Sequence, residues 1–237
     1  MINKQDIIDE ANKHKLPANT IEKDYVLNWL LAGISEAKPL QNGWVFKGGT
    51  CLKKCYFELY RFSEDLDFTI SNLDDRNPNY LKTVFVDIAD WVYEQIGLSF
   101  PEDGISFELY KNPRGELSIQ GKLAYIGPMQ RRGNNPTLKL DLSWDEILVE
   151  PPVKKPIFHP YNDDDFDYQI QTYCIEEIFA EKLRAFVERM RPRDLFDIIH
   201  LFEDPRWSPN RKRLISALEK KCDFKNVGVP TLESVYA

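Results

Sequence analysis

The stretch VFKGGTCLKKCYFELYRFSEDLDFTI, from Val45 to Ile70, constrains the fold more than any other part of the chain. Trp44-Val45-Phe46 reads as a short strand, Lys47-Gly48-Gly49 as a turn and Thr50 to Tyr60 as a helix. Arg61 to Ile70 reads as a second strand, because apolar Phe62, Leu66, Phe68 and Ile70 are interleaved with polar neighbours. The helix brings that second strand back beside the glycine turn. Strand residues two apart share a face, so Asp65 and Asp67 project together while Leu66 and Phe68 anchor the strand from the other side. Two like charges this close are unfavourable unless a cation lies between them. Hard carboxylate oxygens on a rigid strand suit a divalent ion such as Mg²⁺. A strand whose solvated face happens to carry acids gives the same pattern.

The glycine pair strengthens the first reading. Glycine permits close backbone approach and unusual φ/ψ. A helix that begins directly after it presents unpaired N–H groups and a positive dipole end, where triphosphate oxygens are favoured. Lys47, Gly48, Gly49 and Thr50 are therefore candidate nucleotide-binding residues, with the Thr50 hydroxyl as a further donor. A plain strand–helix turn remains the alternative. A two-metal site needs a third carboxylate. Asp141 is the candidate, because in TLKLDLS it falls on the face opposite Leu138, Leu140 and Leu142, where an ordinary solvent-facing acid would also fall.

Elsewhere, Asn3 to Lys13 reads as a short amphipathic helix, and Thr20 is a candidate N-cap for a largely buried helix to about Ala37. Tyr80 to Ile96 is helical, and Ile105–Tyr110, Leu117–Ile126 and Thr137–Ser143 are strands. Pro151 to Asp167, rich in proline and acids, reads as a link. Ile175–Met190, Leu195–Phe202 and Pro209–Cys222 are helical. Sheet-forming chain thus comes first and helical chain second, divided as 1–150 and 151–237.

The 237 residues are enough for a sizeable core. No apolar run approaches the roughly 20 residues of a membrane helix. The opening MINKQDIIDEANKHK is polar rather than signal-like, so a cytoplasmic protein without membrane association is expected. The net charge of −7 argues against nucleic-acid binding by bulk charge. The 31 Lys and Arg residues still allow a local basic groove, with Arg131-Arg132 and the run from Arg184 to Arg193 as its candidates. Cys51, Cys55, Cys174 and Cys222 are read as reduced core cysteines. His14, His159 and His200 are read as packing or surface residues, since a catalytic histidine needs a partner within reach.

GGT followed by RFSEDLDF resembles the nucleotidyltransferase superfamily, and more narrowly the AbiEii/AbiGii (MenT-like) abortive-infection toxins. IEKDYVLNWLL is similar to that family's leading helix, and EEIFAEKLRAFVERMRPRDLFDIIHLF to its C-terminal signature, so the likeness runs from about Thr20 to Phe202. It implies an α+β fold: a polymerase-beta-like core with a mixed sheet in 1–150, and a helical part in 151–237 completing a cleft. It implies Asp65 and Asp67 as catalytic metal ligands, with Asp141 less regular. It implies Ser63 beside the phosphate turn, Lys182 facing the nucleotide, and Asp194 with Asp197 as signature carboxylates. The implied activity is Mg²⁺-dependent (or Mn²⁺-dependent) transfer of NMP from an NTP to an RNA acceptor, the tRNA 3′ end, by a toxin with a separate cognate antitoxin. Two alternatives stand beside it. One is a GTP-binding or antitoxin-binding module without turnover; the other is transfer to a protein or small-molecule hydroxyl. The likeness hints at a structural or site-adjacent role for Lys23 and Asp24; their spacing assigns none.

Overall fold

The computed structural model describes residues 1–58, 60–111, 115–131, 133–163, 165–205 and 207–231. Leu59, Arg132, Asp164 and the end of the tail, named in the ranges above, lie outside the described residues. The chain forms two compact units, one of Met1–Trp144 with Lys154–Thr172 and one of Asp145–Val153 with Tyr173–Ala237.

The first unit opens with α1 (Lys4–His14), started by a capping box between Asn3 and Asp6. Helix α2 (Ala18–Glu36) follows. Its boundary residue is Pro17, in extended conformation, and the expected Thr20 cap lies inside the first turn. Apart from Lys23, α2 is buried from Ile21 to Ile34, as its wide apolar arc requires. Gly33 lets it approach α4 (Pro78–Ile96), since a Cβ there would come 2.7 Å from Ile88 Cγ2.

The strands are β1 (Trp44–Lys47), β2 (Asp65–Ile70), β3 (Ile105–Lys111), β4 (Leu117–Ala124), β5 (Thr137–Ser143), β6 (Val153–Pro156) and β7 (Gln169–Thr172). They make a seven-stranded mixed sheet in the order β3-β4-β5-β2-β1-β7-β6. Neighbours β3/β4, β4/β5 and β1/β2 are antiparallel, whereas β2/β5 and β1/β7 are parallel. Trp44, Phe46, Phe68, Phe85 and Phe107 pack ring against ring through the core, with Phe46 and Phe68 stacked and the other pairs tilted. The segment read as a link therefore contributes a strand, β6, and with β7 just after it extends the sheet beyond β1. Pro156 is tolerated because β6 is an edge strand, where a missing N–H breaks no ladder bond.

Between β1 and β2 the helix starts at Gly48 rather than Thr50 and ends at Tyr56 rather than Tyr60. It comprises α3 (Gly48–Cys51) and a wider turn over Leu52–Tyr56. Phe57 N–H closes that turn onto Leu52 O at 2.8 Å, five residues back. All four cysteines are free and buried.

The second unit contains α5 (Ile175–Arg189), α6 (Pro192–Glu203) and α7 (Arg211–Phe224). Residues 145–153 are fastened to them by charged groups. The Glu177 carboxylate accepts the N–H groups of Val149 and Glu150 at 3.1 and 2.8 Å. Lys221 Nζ, 2.8 Å from Glu177, donates to Ile147 O.

Candidate active site

Strand register gathers the glycine turn and the carboxylates at one edge of the sheet. Lys47, the last residue of β1, pairs with Asp67, and α3 begins at the next residue. Strand β2 starts at this edge with Asp65, and its parallel neighbour β5 starts there too, which places Asp141 opposite Asp67. Asp65 and Asp67 are half-buried, whereas Leu66 and Phe68 have no exposure, so the expected division of faces holds.

Gly48 has φ +82°, in the left-handed region, and a Cβ there would collide with the Asp67 carboxylate. The missing side chain is what lets the carboxylate lie against the turn. At Gly49, a Cβ would meet Arg61 Nη2 at 2.8 Å and Ser63 Oγ at 3.3 Å. Ser63 thus stands beside the turn, together with Arg61, a residue the sequence reading did not single out. Its signal was present: a cation two residues ahead of that serine in a short return from the helix. Thr50 is fully buried, and its hydroxyl donates to the backbone oxygen of Asp65 at 2.5 Å. The hydroxyl therefore ties the turn to the start of β2, where a phosphate contact had been expected. Asp141 Oδ1 accepts from Tyr110 Oη at 3.2 Å and from Gln120 Nε2 at 3.4 Å.

In the second unit, Lys182 is 9% exposed rather than a solvated helical lysine. Its Nζ lies 2.8 Å from Asp197 Oδ2 and 3.3 Å from Asp194 Oδ1. Asp194 is not a helix cap, since α6 is bounded by Arg191 and has no side-chain cap. It takes a forked pair of bonds from Arg189 at 2.7 and 2.9 Å. Burial raises the proton affinity of Asp194, but Arg189 and Lys182 outweigh it and hold the carboxyl below its ordinary value. Helix α6 turns Asp194, Asp197 and Leu201 inward and leaves Leu195, Phe196, Ile199 and Phe202 exposed. Arg184 was expected to join a basic face with Arg189, Arg191 and Arg193; instead it is 6% exposed and pairs with Glu188 at 2.7 Å. Of the other basic cluster, Arg131 lies 3.4 Å from Glu22, and Arg132 lies outside the described residues.

The profile of the family described as "Nucleotidyl transferase AbiEii toxin, Type IV TA system" matches residues 29–235. The chain belongs to the AbiEii nucleotidyltransferase toxin family. No curated protein matches it. Among solved structures it is similar to MenT4, a nucleotidyltransferase toxin from Mycobacterium tuberculosis H37Rv, with 19% identity and a TM-score of 0.60 over 93% of this chain and 72% of that one. An antigenic nucleotidyltransferase-like protein from Paracoccidioides brasiliensis matches with 16% identity and a TM-score of 0.43, over 91% of this chain and 97% of that one.

AbiEii-family membership makes the chain a nucleotidyltransferase of a toxin–antitoxin type, and enzymes of this kind generally use divalent ions. The first unit's residues fit such an ion. Asp65 and Asp67 offer hard oxygens on one half-exposed face, and Gly48 leaves space for the Asp67 carboxylate. Among the described residues, no three His, Cys, Asp or Glu side chains form a group able to hold a metal ion. Among the described residues, no helix is long and apolar enough to cross a membrane.

Proposed function

We propose that this AbiEii-family chain transfers NMP from an NTP to an RNA acceptor, the tRNA 3′ end, and that a cognate antitoxin opposes it in the cytoplasm. The observation that carries the reading is the packing of the Asp67 carboxylate against Gly48, with Asp65 on the same strand face. It brings a candidate phosphate-binding turn and two metal-type carboxylates within one side-chain length of each other. In this reading Asp65 and Asp67 hold Mg²⁺ or Mn²⁺, and Asp141 orients through Tyr110 and Gln120 beside them. The bound ion would supply Lewis-acid stabilisation of the attacking and leaving oxygens.

The remaining roles fall to the chain itself. Backbone N–H groups at Lys47, Gly48 and Gly49 bind phosphate oxygens, and Thr50 fixes the turn by its bond to Asp65 O. Arg61 and Ser63, over Gly49, add donors to the same anion. Lys182, with Asp194 and Asp197 holding its ammonium, is the second group on which transfer depends. In this proposal the expected catalytic core, 1–150, takes the form of Met1–Trp144 with Lys154–Thr172, and the expected helical part, 151–237, that of Asp145–Val153 with Tyr173–Ala237.

The test is incubation with labelled NTPs and total tRNA, with and without Mg²⁺, followed by sequencing of RNA 3′ ends. Labelled RNA from the wild type and none from Asp65→Asn supports the reading. Nucleotide bound without turnover would make it a binding module, and labelled protein would move the acceptor to a protein hydroxyl.

A further inference from the structure

Glu22, Lys23 and Asp24 are consecutive on α2. Successive helical residues point about 100° apart and do not face one another. Each of the three grips a different, distant segment of the first unit. Glu22 is 1% exposed, and its Oε1 accepts the Met129 N–H at 2.8 Å. Gly127 leaves room for that carboxylate, since a Cβ there would come 2.7 Å from Oε1. Lys23 Nζ lies 2.8 Å from Glu64 Oε2. Asp24, 2% exposed, accepts from Lys54 Nζ and from Tyr161 Oη, each at 2.8 Å. Lys54 Nζ also donates to the Asp24 backbone oxygen at 3.2 Å. Lys53 Nζ stands 3.8 Å from Asp24 Oδ1 and 3.8 Å above the Phe62 ring.

The three gripped segments serve one edge of the sheet. Met129 lies in the chain leading into β5, which carries Asp141. Glu64 immediately precedes Asp65. Lys53 and Lys54 follow the Gly48-Gly49 turn by one helical turn. Buried charge is a poor way to gain stability, because well-packed apolar residues in its place are often neutral or better. Here Asp24 Oδ1 is buried without a hydrogen-bond partner, so the arrangement is not optimised for stability. What charged groups supply instead is fixed direction, and each member of the triplet sends one such contact to the same edge, with Tyr161 holding Asp24 from outside it.

We infer that the Glu22-Lys23-Asp24 triplet is a positioning device that sets the glycine turn, the Asp65–Asp67 strand and the β5 entry against one another. The inference rests on the reading of this edge as the transfer site. The triplet touches no substrate in this scheme; it acts through the residues it holds. Loosening one grip displaces a reacting group relative to its partners, and misplacement on the ångström scale costs roughly tenfold to a hundredfold in rate.

The experiment combines kinetics with amide hydrogen exchange on the full chain. Lys23→Glu repels Glu64 and is expected to lower kcat roughly tenfold or more, with a smaller change in the KM for NTP. The charge exchange Lys23→Glu/Glu64→Lys is expected to restore most of the loss. Asp24→Asn is expected to raise deuterium uptake in 48–56 and 61–67 while leaving α4 unchanged. Full activity in Lys23→Glu, no recovery in the charge exchange, or unchanged uptake in Asp24→Asn would each overturn the proposal. If Asp24→Asn does not fold, the charge exchange alone decides it. If the wild type transfers to no acceptor, the reading of the site fails instead, and exchange in Lys23→Glu and its charge-exchanged partner decides the positioning role without reference to activity.

Discussion

Lys182 Nζ is 2.8 Å from Asp197 Oδ2, and the aspartate has no solvent exposure. The charge of one helix is thus matched by a carboxylate of the next inside the second unit. Breaking a buried ion pair of this kind costs about 3–5 kcal/mol. Lys182→Ala is therefore expected to lower the urea midpoint markedly as well as abolish transfer. Arg189→Ala removes a forked pair of bonds to the buried Asp194, but its side chain is 44% exposed and Lys182 stays beside that carboxylate, so it should cost less, about 1–3 kcal/mol. Equal destabilisation by the two variants would contradict the assignment of Lys182 as the buried member of the cluster.

Gly48 and Gly97 separate backbone strain from site geometry. Both have positive φ, +82° and +72°, but a Cβ on Gly48 would collide with Asp67, whereas one on Gly97 meets nothing within 4 Å. An alanine at either position carries a left-handed backbone cost of about 1 kcal/mol. Gly48→Ala is expected to add displacement of the Asp67 carboxylate and to lose transfer activity; Gly97→Ala is expected to keep it. Thermal unfolding and transfer rates measured side by side distinguish the two effects.

Much of this geometry was legible in the sequence because local periodicity decides it. The alternation around Asp65 and Asp67 fixed the face of the carboxylates, and TLKLDLS fixed β5 from Thr137 to Ser143. Three things were not legible. Strand β6 lies in a proline-rich stretch and β7 just after it, and only the pairing of β7 with β1 shows that this part of the chain is an edge of the sheet. Thr50 was offered a phosphate, but a long-range partner, Asp65 O, claims its hydroxyl. Spacing assigned no role to Asp24 and did not single out Glu22, because their counter-groups, Lys54 and the Met129 N–H, come from chain far away in sequence.

The Thr50 hydroxyl bond has its own consequence. A buried acceptor stripped of its donor costs about 1–3 kcal/mol. Thr50→Val keeps the shape and removes the donor, so it is expected to destabilise the first unit by that amount and to lower kcat. Thr50→Ser keeps the donor and should lose less of both. Chemical denaturation of the three proteins checks the order; a Thr50→Val variant as stable as the wild type would show that Asp65 O gains nothing from the bond.

Asp24 and Lys54 should each make stability rise with pH, in two separate windows. Burial raises the proton affinity of Asp24, but the charges of Lys54 and Lys53 and the bonds from Lys54 and Tyr161 outweigh it, so its carboxyl is held below the ordinary 3.8. A depressed carboxyl contributes stability that is complete above the unfolded value and lost as pH falls through the folded one. Burial pushes Lys54 down to about 8 from 10.5, against the pull of Asp24. Between those two values the unfolded chain binds more protons, so stability rises with pH across that window. In Asp24→Asn the acid-side loss from this group disappears. The counter-charge that keeps Lys54 protonated is also gone, so its window opens below pH 8. Urea midpoints from pH 3 to pH 10.5 for wild type and Asp24→Asn give both limbs; coincident curves would mean that the two groups are not coupled in the folded protein.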